Sequence, residues 1–252
     1  MTFSPAHSRE SGNPALSQPA QSPLPRGRAE HAIAICDLAL HADPAGALYW
    51  PDEGLLVVSD LHLEKGSSFA RRGMLLPPYD TAATLSRLAR VIAHYAPRIV
   101  VALGDNFHDG GGPARLSDED RAQLSALQRG REWIWITGNH DPEPADGIGG
   151  VFYETLTRGA LTFRHLPSGA PGDVCGHLHP LARISHRGRV VSRACFAADA
   201  TRLVMPAFGA FTGGLNVRDA AFADLFGTLT FTAHMLGADR LYAFAAKRCL
   251  PG

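Results

Sequence analysis

The sequence has no excess of charge: 24 basic residues stand against 24 acidic ones in a chain of 252, and charged residues make up only 19% of it. That balance excludes a bulk basic surface of the histone or ribosomal kind, so any nucleic-acid contact must come from a local patch. Long apolar runs are missing too, since the longest stay well below the roughly 18 residues of a membrane span, and no membrane partner is expected. Cysteine is sparse. Cys36, Cys175, Cys195 and Cys249 stand far apart with no Cys-x-x-Cys spacing, in a chain large enough to fold without staples, which predicts a reducing, cytoplasmic setting. Gly-x-Ser-x-Gly and His-Glu-x-x-His are absent, which removes the usual serine-hydrolase and zinc-protease readings. No lysine follows Gly110-Gly111-Gly112-Pro113 in the phosphate-cradle pattern, so that stretch is expected to be a flexible loop.

What is present is apolar material, 45% of the residues, enough for a sizeable core. Residues 1–30 hold five prolines, several Ser and Gln, and no apolar stretch of the kind a signal peptide needs. They predict a disordered N-terminal tail ahead of a single domain over residues 31–252. The run from His7 to Pro14 resembles translated intergenic repeat sequence, an expectation that places the native start further in.

From Ile33 onward, short apolar runs end in Gly, Asp, Asn or His. Leu55 to Ser59 leads into Asp60, Ile99 to Leu103 into Gly104-Asp105, and Trp133 to Thr137 into Gly138-Asn139. Runs of about five residues without polar alternation suit strands buried on both faces. Between the first two runs a helix is expected, capped by Asp80, with Leu85, Leu88, Ile92 and Tyr95 as its apolar stripe and Pro97 as its stop. Between the next two, Ser117 caps a shorter helix with Leu124 and Leu127 inward. The second half reads as shorter strands, Leu161 to His165, Asp173 to Gly176, Leu181 to His186, Arg189 to Phe196 and Leu203 to Met205, with hairpin turns at Arg187-Gly188 and Ala198-Asp199. The expected class is α/β, with two packed sheets and helices outside.

Metal-binding residue types collect where these runs end: Asp60-x-His62, Gly104-Asp105 with His108, Gly138-Asn139-His140-Asp141, His165, and Gly176-His177-Leu178-His179. Each alone is unremarkable, as a strand-end turn or a satisfied core histidine. All five occur in order, each at the end of an apolar run, and glycine precedes three of them, where it would let the backbone turn sharply. Two divalent cations about 3.5 to 4 Å apart, sharing a carboxylate and holding a hydroxide between them, need this chemistry. One Asp is the natural bridge, imidazoles supply neutral nitrogens, and an Asn carbonyl fills a position without adding charge. The mixed N and O set without thiolate favours Mn, Fe or Zn over Ca or Mg.

These blocks resemble the calcineurin-like metallophosphoesterase superfamily, matching its five motifs in order from Asp60 to His179. The resemblance implies a four-layer α/β/β/α sandwich with two mixed β-sheets. It implies two divalent ions, with Mn2+ the first choice and Fe or Zn the alternatives. Asp60, His62 and His179 would hold one ion, Asn139, His165 and His177 the other, and Asp105 would bridge them. A hydroxide between the ions would attack phosphorus, His140 would act as general acid, Asp141 would orient it, and His108 would lie near the substrate.

A narrower resemblance covers residues 46 to 242. It rests on Gly46-Ala-Leu-Tyr-Trp-Pro51, Asp60-Leu-His-Leu-Glu-Lys-Gly66, Leu76-Pro-Pro-Tyr-Asp80, Cys175-Gly-His-Leu-His-Pro180 and Pro206-Ala-Phe-Gly-Ala-Phe-Thr-Gly-Gly214. These are similar to the bacterial ligase-associated DNA damage response endonucleases, which implies DNA as substrate, a repair role, and functional association with an ATP-dependent DNA ligase. Glu64 departs from relatives that carry glycine there. Between Leu181 and Leu203, five arginines stand against one acid, Asp199, and Arg189 and Arg193 are the expected phosphate contacts. Phe208 and Phe211 read either as a packed turn or as a substrate platform. The alternatives to a DNA endonuclease are a phosphodiesterase or phosphatase for nucleotides or other small esters, and a metal-binding scaffold without turnover.

Overall fold

The structure is a computed structural model that describes residues 31–77 and 79–252; the expected tail over residues 1–30 lies outside the described residues. Two mixed sheets face each other. The first contains, in spatial order, β1 (Ala32–Ile35), β2 (Leu38–Ala42), β3 (Leu48–Trp50), β4 (Leu55–Ser59), β5 (Ile99–Leu103), β6 (Glu132–Ile136) and β7 (Val151–Tyr153). Pairing is antiparallel from β1 to β4 and parallel from β4 to β7. The second sheet is formed by β8 (Thr155–Arg158), β9 (Leu161–Arg164), β10 (Asp173–Cys175), β11 (Pro180–His186), β12 (Arg189–Ala198), β13 (Leu203–Val204) and β14 (Leu215–Asn216), in the order β14-β11-β12-β13-β10-β9-β8. A branch adds β15 (Thr232–Leu236), paired with β12, and β16 (Leu241–Ala245), paired with β15.

The unbroken apolar runs explain the layering, because side chains alternate across a strand with period two. In β4, Leu55 and Val57 face the second sheet, while Leu56 and Val58 face the helices outside. The same alternation sends Val101 and Ile134 inward, and Val100 and Trp135 outward. The second sheet answers with Phe163, Val174, Phe196 and Leu203, which complete the core between the sheets.

Among the described residues there are five α-helices: α1 (Lys65–Arg71), α2 (Asp80–Tyr95), α3 (Gly112–Arg115), α4 (Asp118–Gln128) and α5 (Ala220–Phe226). α2 buries Leu85, Leu88 and Ile92, as its stripe predicts, together with Val91. Each such side chain contributes about 1.5 to 3 kcal/mol when fully buried. Tyr95 is only half-buried; it stacks on Tyr49 at 4.6 Å and its hydroxyl donates to Asp43. Ser117 accepts from the Asp120 N–H and caps α4 as expected. α5 packs Phe222 and Phe226 on the outer face of the second sheet, against Cys195, Ala197 and Val204. Helix, sheet, sheet, helix is therefore the layer order, with the second helical layer thin. Among the described residues, no helix is long and apolar enough to cross a membrane.

Three local expectations are corrected. Asp80 does not cap α2: it is the first helical residue, and its carboxylate accepts the Gly66 N–H instead. Ala198-Asp199 is not a two-residue turn, because Ala198 pairs with Leu203 and leaves a four-residue loop organised by the Asp199 carboxylate. The Gly110–Pro113 stretch is not wholly loop. Gly112 and Pro113 begin α3, where a Cβ on Gly112 would lie 2.8 Å from the Phe107 ring. Arg187 and Gly188 both have positive φ, 50° and 75°, the form that a two-residue hairpin of this twist requires.

Candidate metal centre

Asp60 and His62 follow β4, Asp105 and His108 follow β5, and Asn139, His140 and Asp141 follow β6. From the second sheet, His165 follows β9, and His177 and His179 link β10 to β11. They gather at the carboxyl ends of parallel strands, the usual ligand edge of such sheets. The chain turns abruptly there. Asp60, His62, Asp105, His177 and His179 all have left-handed φ, between 43° and 67°, a conformation that costs non-glycine residues energy and persists where surroundings impose it.

Two clusters result. Asp60 Oδ1 is 3.2 Å from His179 Nε2, which lies 3.4 Å from His62 Nε2. In the second, His165 Nε2 is 2.9 Å from Asn139 Oδ1, 3.3 Å from His177 Nδ1 and 3.3 Å from Asp105 Oδ1. The other Asp105 oxygen faces the first cluster, 3.8 Å from His62 Nε2. One carboxylate thus presents an oxygen to each cluster. A single ring N–H can serve only one of the three partners around His165 Nε2, and two imidazole nitrogens meeting at 3.4 Å share at most one proton between them. Such convergence of lone pairs is what divalent cations satisfy, so the donor set fits a pair of them.

The electrostatics agree with a site for positive charge. Burial lowers the His62 pKa to about 3, which keeps its ring neutral and able to ligate. Burial would raise the Asp105 carboxyl, but the His165 hydrogen bond and charge outweigh it and bring the pKa down to about 2. Burial also acts to lower His165 and His179, yet the former's bond to Asp105 and the latter's to Asp60 leave both raised. His177 is lowered by burial and by its neighbour His165.

The three glycines before the motifs act differently from what chain turning predicts. Only Gly104 has positive φ, at 65°. All three are places where no side chain fits: a Cβ on Gly104 would lie 2.5 Å from His165 Cγ, one on Gly138 would meet the Asp105 backbone nitrogen, and one on Gly176 would meet Ser59 Oγ. Absence of a side chain lets strand ends from both sheets close on each other. Ser59, which the sequence pattern did not single out, donates to Asp60 Oδ2 at 2.5 Å.

His140 stands beside the clusters, its Nε2 3.9 Å from Asp105 Oδ2. Its orienting partner is the His108 carbonyl, 2.9 Å from His140 Nδ1, and the two rings stack with centroids 5.2 Å apart. Asp141 does not orient His140. Its buried carboxylate accepts the N–H groups of Asn106, Phe107 and Gly138. That ties the loop after β6 to the loop after β5, and burial pushes its pKa up to about 6. His108 lies between His140 and α1, with the Phe69 ring 5.3 Å away. Burial lowers its pKa, helped by the charges of Lys65, His140 and Arg72 and opposed by Asp109.

Arg189 and Arg193 are exposed on β12. Arg193 pairs with Ala182, three residues beyond His179, and Arg189 with His186, seven residues beyond it. They share a face with Val191 and Cys195, toward the outer core of the second sheet. Phe208 is fully buried, with the Arg87 guanidinium 4.4 Å above its ring, while Phe211 is 54% exposed. The cations of α1 and its C-terminal end, Lys65 and Arg72, were not legible as site residues in the sequence, although Lys65 lies within the Asp60–Gly66 run.

One solved structure shares this architecture. A crystal structure of Pseudomonas putida nuclease MPE superposes with a TM-score of 0.64 at 24% identity, covering 84% of this chain and 98% of that one. Yfce, a phosphoesterase from E. coli, aligns at 14% identity with a TM-score of 0.36, covering 76% and 98% respectively. No curated protein matches the chain. The Calcineurin-like phosphoesterase family model matches residues 55–194, more than half of the sequence and all the strand ends described above. This chain belongs to the calcineurin-like phosphoesterase family, as a metal-dependent phosphoesterase.

Proposed function

We propose that the protein is a dinuclear metal-dependent phosphodiesterase that cuts DNA as an endonuclease, in repair and in the cytoplasm, with residues 31–252 acting as one domain. The observation that carries the mechanism is the Asp105 carboxylate, which offers one oxygen to the Asp60, His62 and His179 cluster and the other to the Asn139, His165 and His177 cluster. Two divalent cations held there, Mn2+ first and Fe or Zn as alternatives, would polarise the phosphoryl oxygens and supply a hydroxide nucleophile.

The chain's own residues do the rest. The Asp60 carboxylate would face one ion and the Asp105 carboxylate both. The Asp60 carboxylate is itself fixed by Ser59 Oγ and the His177 N–H, so it is presented in one orientation. His140, with Nδ1 committed to the His108 carbonyl, is left with Nε2 to donate a proton to the departing sugar oxygen. Support for DNA comes from the sequence runs shared with the ligase-associated endonucleases and from the fold likeness to a nuclease. An ATP-dependent DNA ligase is the expected functional associate.

The test is digestion of labelled closed circular and linear DNA in the presence of Mn2+. Nicking of the closed circle is the expected result, since only internal cleavage can open it. Hydrolysis of a small chromogenic diester with every DNA substrate left intact would replace this reading with a phosphodiesterase for small esters, and metal binding without any turnover would replace it with a scaffold.

A further inference from the structure

The side of the metal centre that His108 faces is built from α1 and from the loop that carries Phe211. The Phe69 ring lies 5.3 Å from His108, which stacks on His140 at 5.2 Å, so Phe69 of α1 is two ring contacts from the proposed proton donor. The Lys65 ammonium sits 5.9 Å over the Phe69 ring and donates to the Phe211 carbonyl at 2.9 Å. Among the described residues no carboxylate lies within 4.0 Å of it, although the charge of Asp80, whose carboxylate accepts the Gly66 N–H, acts on it. Arg72, at the end of α1, is exposed, and its charge acts on His108. Asp109, the acid whose charge also acts on His108, is already taken by a two-pronged contact from Arg115, at 2.8 and 3.0 Å.

Phe211 adds an independent sign. Its φ is 57°, in the left-handed region, and 54% of it is exposed. A bulky residue held there is an outlier that its surroundings must impose. The Ala210 N–H bond to Thr84 Oγ1 and the Lys65 bond impose it, and they turn an apolar ring toward solvent beside a cation. Aromatic faces next to unpaired cations, leading away from a phosphoester-cleaving centre, match a nucleic-acid strand, which alternates phosphates with stacking bases.

We propose that α1 and the Phe211 loop form the subsite for the nucleotides next to the bond being cut, with Lys65 and Arg72 on flanking phosphates and Phe69 and Phe211 against bases. The proposal rests on the nucleic-acid reading above and names the side from which the strand enters.

The test compares the Mn2+-loaded parent with a Lys65→Gln/Arg72→Gln double variant, on a short single-stranded oligonucleotide at several salt concentrations and on a small chromogenic phosphodiester. KM for the oligonucleotide should rise roughly tenfold for each charge-assisted phosphate contact removed, about a hundredfold for the two together. The slope of log affinity against log salt should fall by about 0.7 for each phosphate that is no longer neutralised. The diester should suffer far less, and Lys65→Arg should restore most of the oligonucleotide binding. Phe211→Asn, which accepts left-handed backbone, should raise KM for the oligonucleotide without altering the salt slope. A double variant with the parent's KM and salt slope, or equal losses on both substrates, would overturn the subsite while leaving the nuclease reading intact. A parent that hydrolyses the diester but no oligonucleotide would overturn both.

Discussion

His140 Nδ1 lies 2.9 Å from the backbone carbonyl of His108. A carbonyl only accepts, so Nδ1 carries the hydrogen and Nε2 is the atom left for chemistry. His140→Gln should therefore keep near-parental metal content while turnover falls by roughly 10² to 10⁴ fold, the usual reach of general acid catalysis. Substrates with nitrophenolate leaving groups, which need no proton, should suffer less. His108→Ala retains the carbonyl and should lose much less turnover. Steady-state rates across a leaving-group series check both, and an equal loss on good and poor leaving groups would contradict the role.

Asp105 addresses both clusters, whereas His62 belongs to one. Asp105→Asn should weaken both metals together, and His62→Ala should mainly deplete a single site. Metal analysis after dialysis gives the answer directly; two fully retained metals in the Asp105 variant would refute the shared-carboxylate assignment.

Gly176 is pressed against Ser59 and Asp60, so an added methyl has no room. Gly176→Ala should cost about 1 to 3 kcal/mol, as overpacking does in tight interiors, and should impair metal binding by displacing Asp60. Gly110→Ala, where nothing lies within 4 Å, should stay within about 0.5 kcal/mol of the parent. Denaturant melts of the two variants make the comparison.

Asp141 braces the loop that presents Asp105 by accepting three backbone N–H groups. Asp141→Ala would leave those buried donors unpaired, at about 1 to 3 kcal/mol for each that finds no water. The expected outcome is a marked loss of stability together with weaker metal binding. If activity fell with stability and metal content unchanged, Asp141 would instead have a direct role in the chemistry.

Arg189 pairs with His186, seven residues beyond His179, which is roughly 24 Å along an extended strand. DNA shorter than about seven base pairs on that side of the cut cannot span such a distance at roughly 3.4 Å per step. Arg193 lies opposite Ala182, only three residues beyond His179. Replacing both arginines by Ala should therefore weaken binding of DNA longer than about three base pairs, most strongly beyond about seven, and flatten its salt dependence by the equivalent of at most about two neutralised phosphates. Binding measured against duplex length and salt decides it: parental behaviour at every length would make the hairpin an ordinary solvated surface.

The sequence alone determined which residue types stand at the strand ends and that the strands before them are buried on both faces. Leu55 to Ser59 and Ile99 to Leu103 were legible to the residue, because a five-residue apolar run leaves no other way to shelter both of its faces. The half-exposed strands β1, β8 and β16 were not, since four or five residues at a sheet edge carry too little pattern to separate from loop. Only the tertiary structure decided how the site is held. Nothing local announces that Gly176 is needed for room beside Ser59, that Asp141 serves the loop holding Asp105 and not its neighbour His140, or that Lys65 and Phe211, 146 residues apart, meet beside His108. Such relationships arise between chain segments that approach only when the two sheets pack, and local periodicity carries no information about which distant backbone atom a side chain will find.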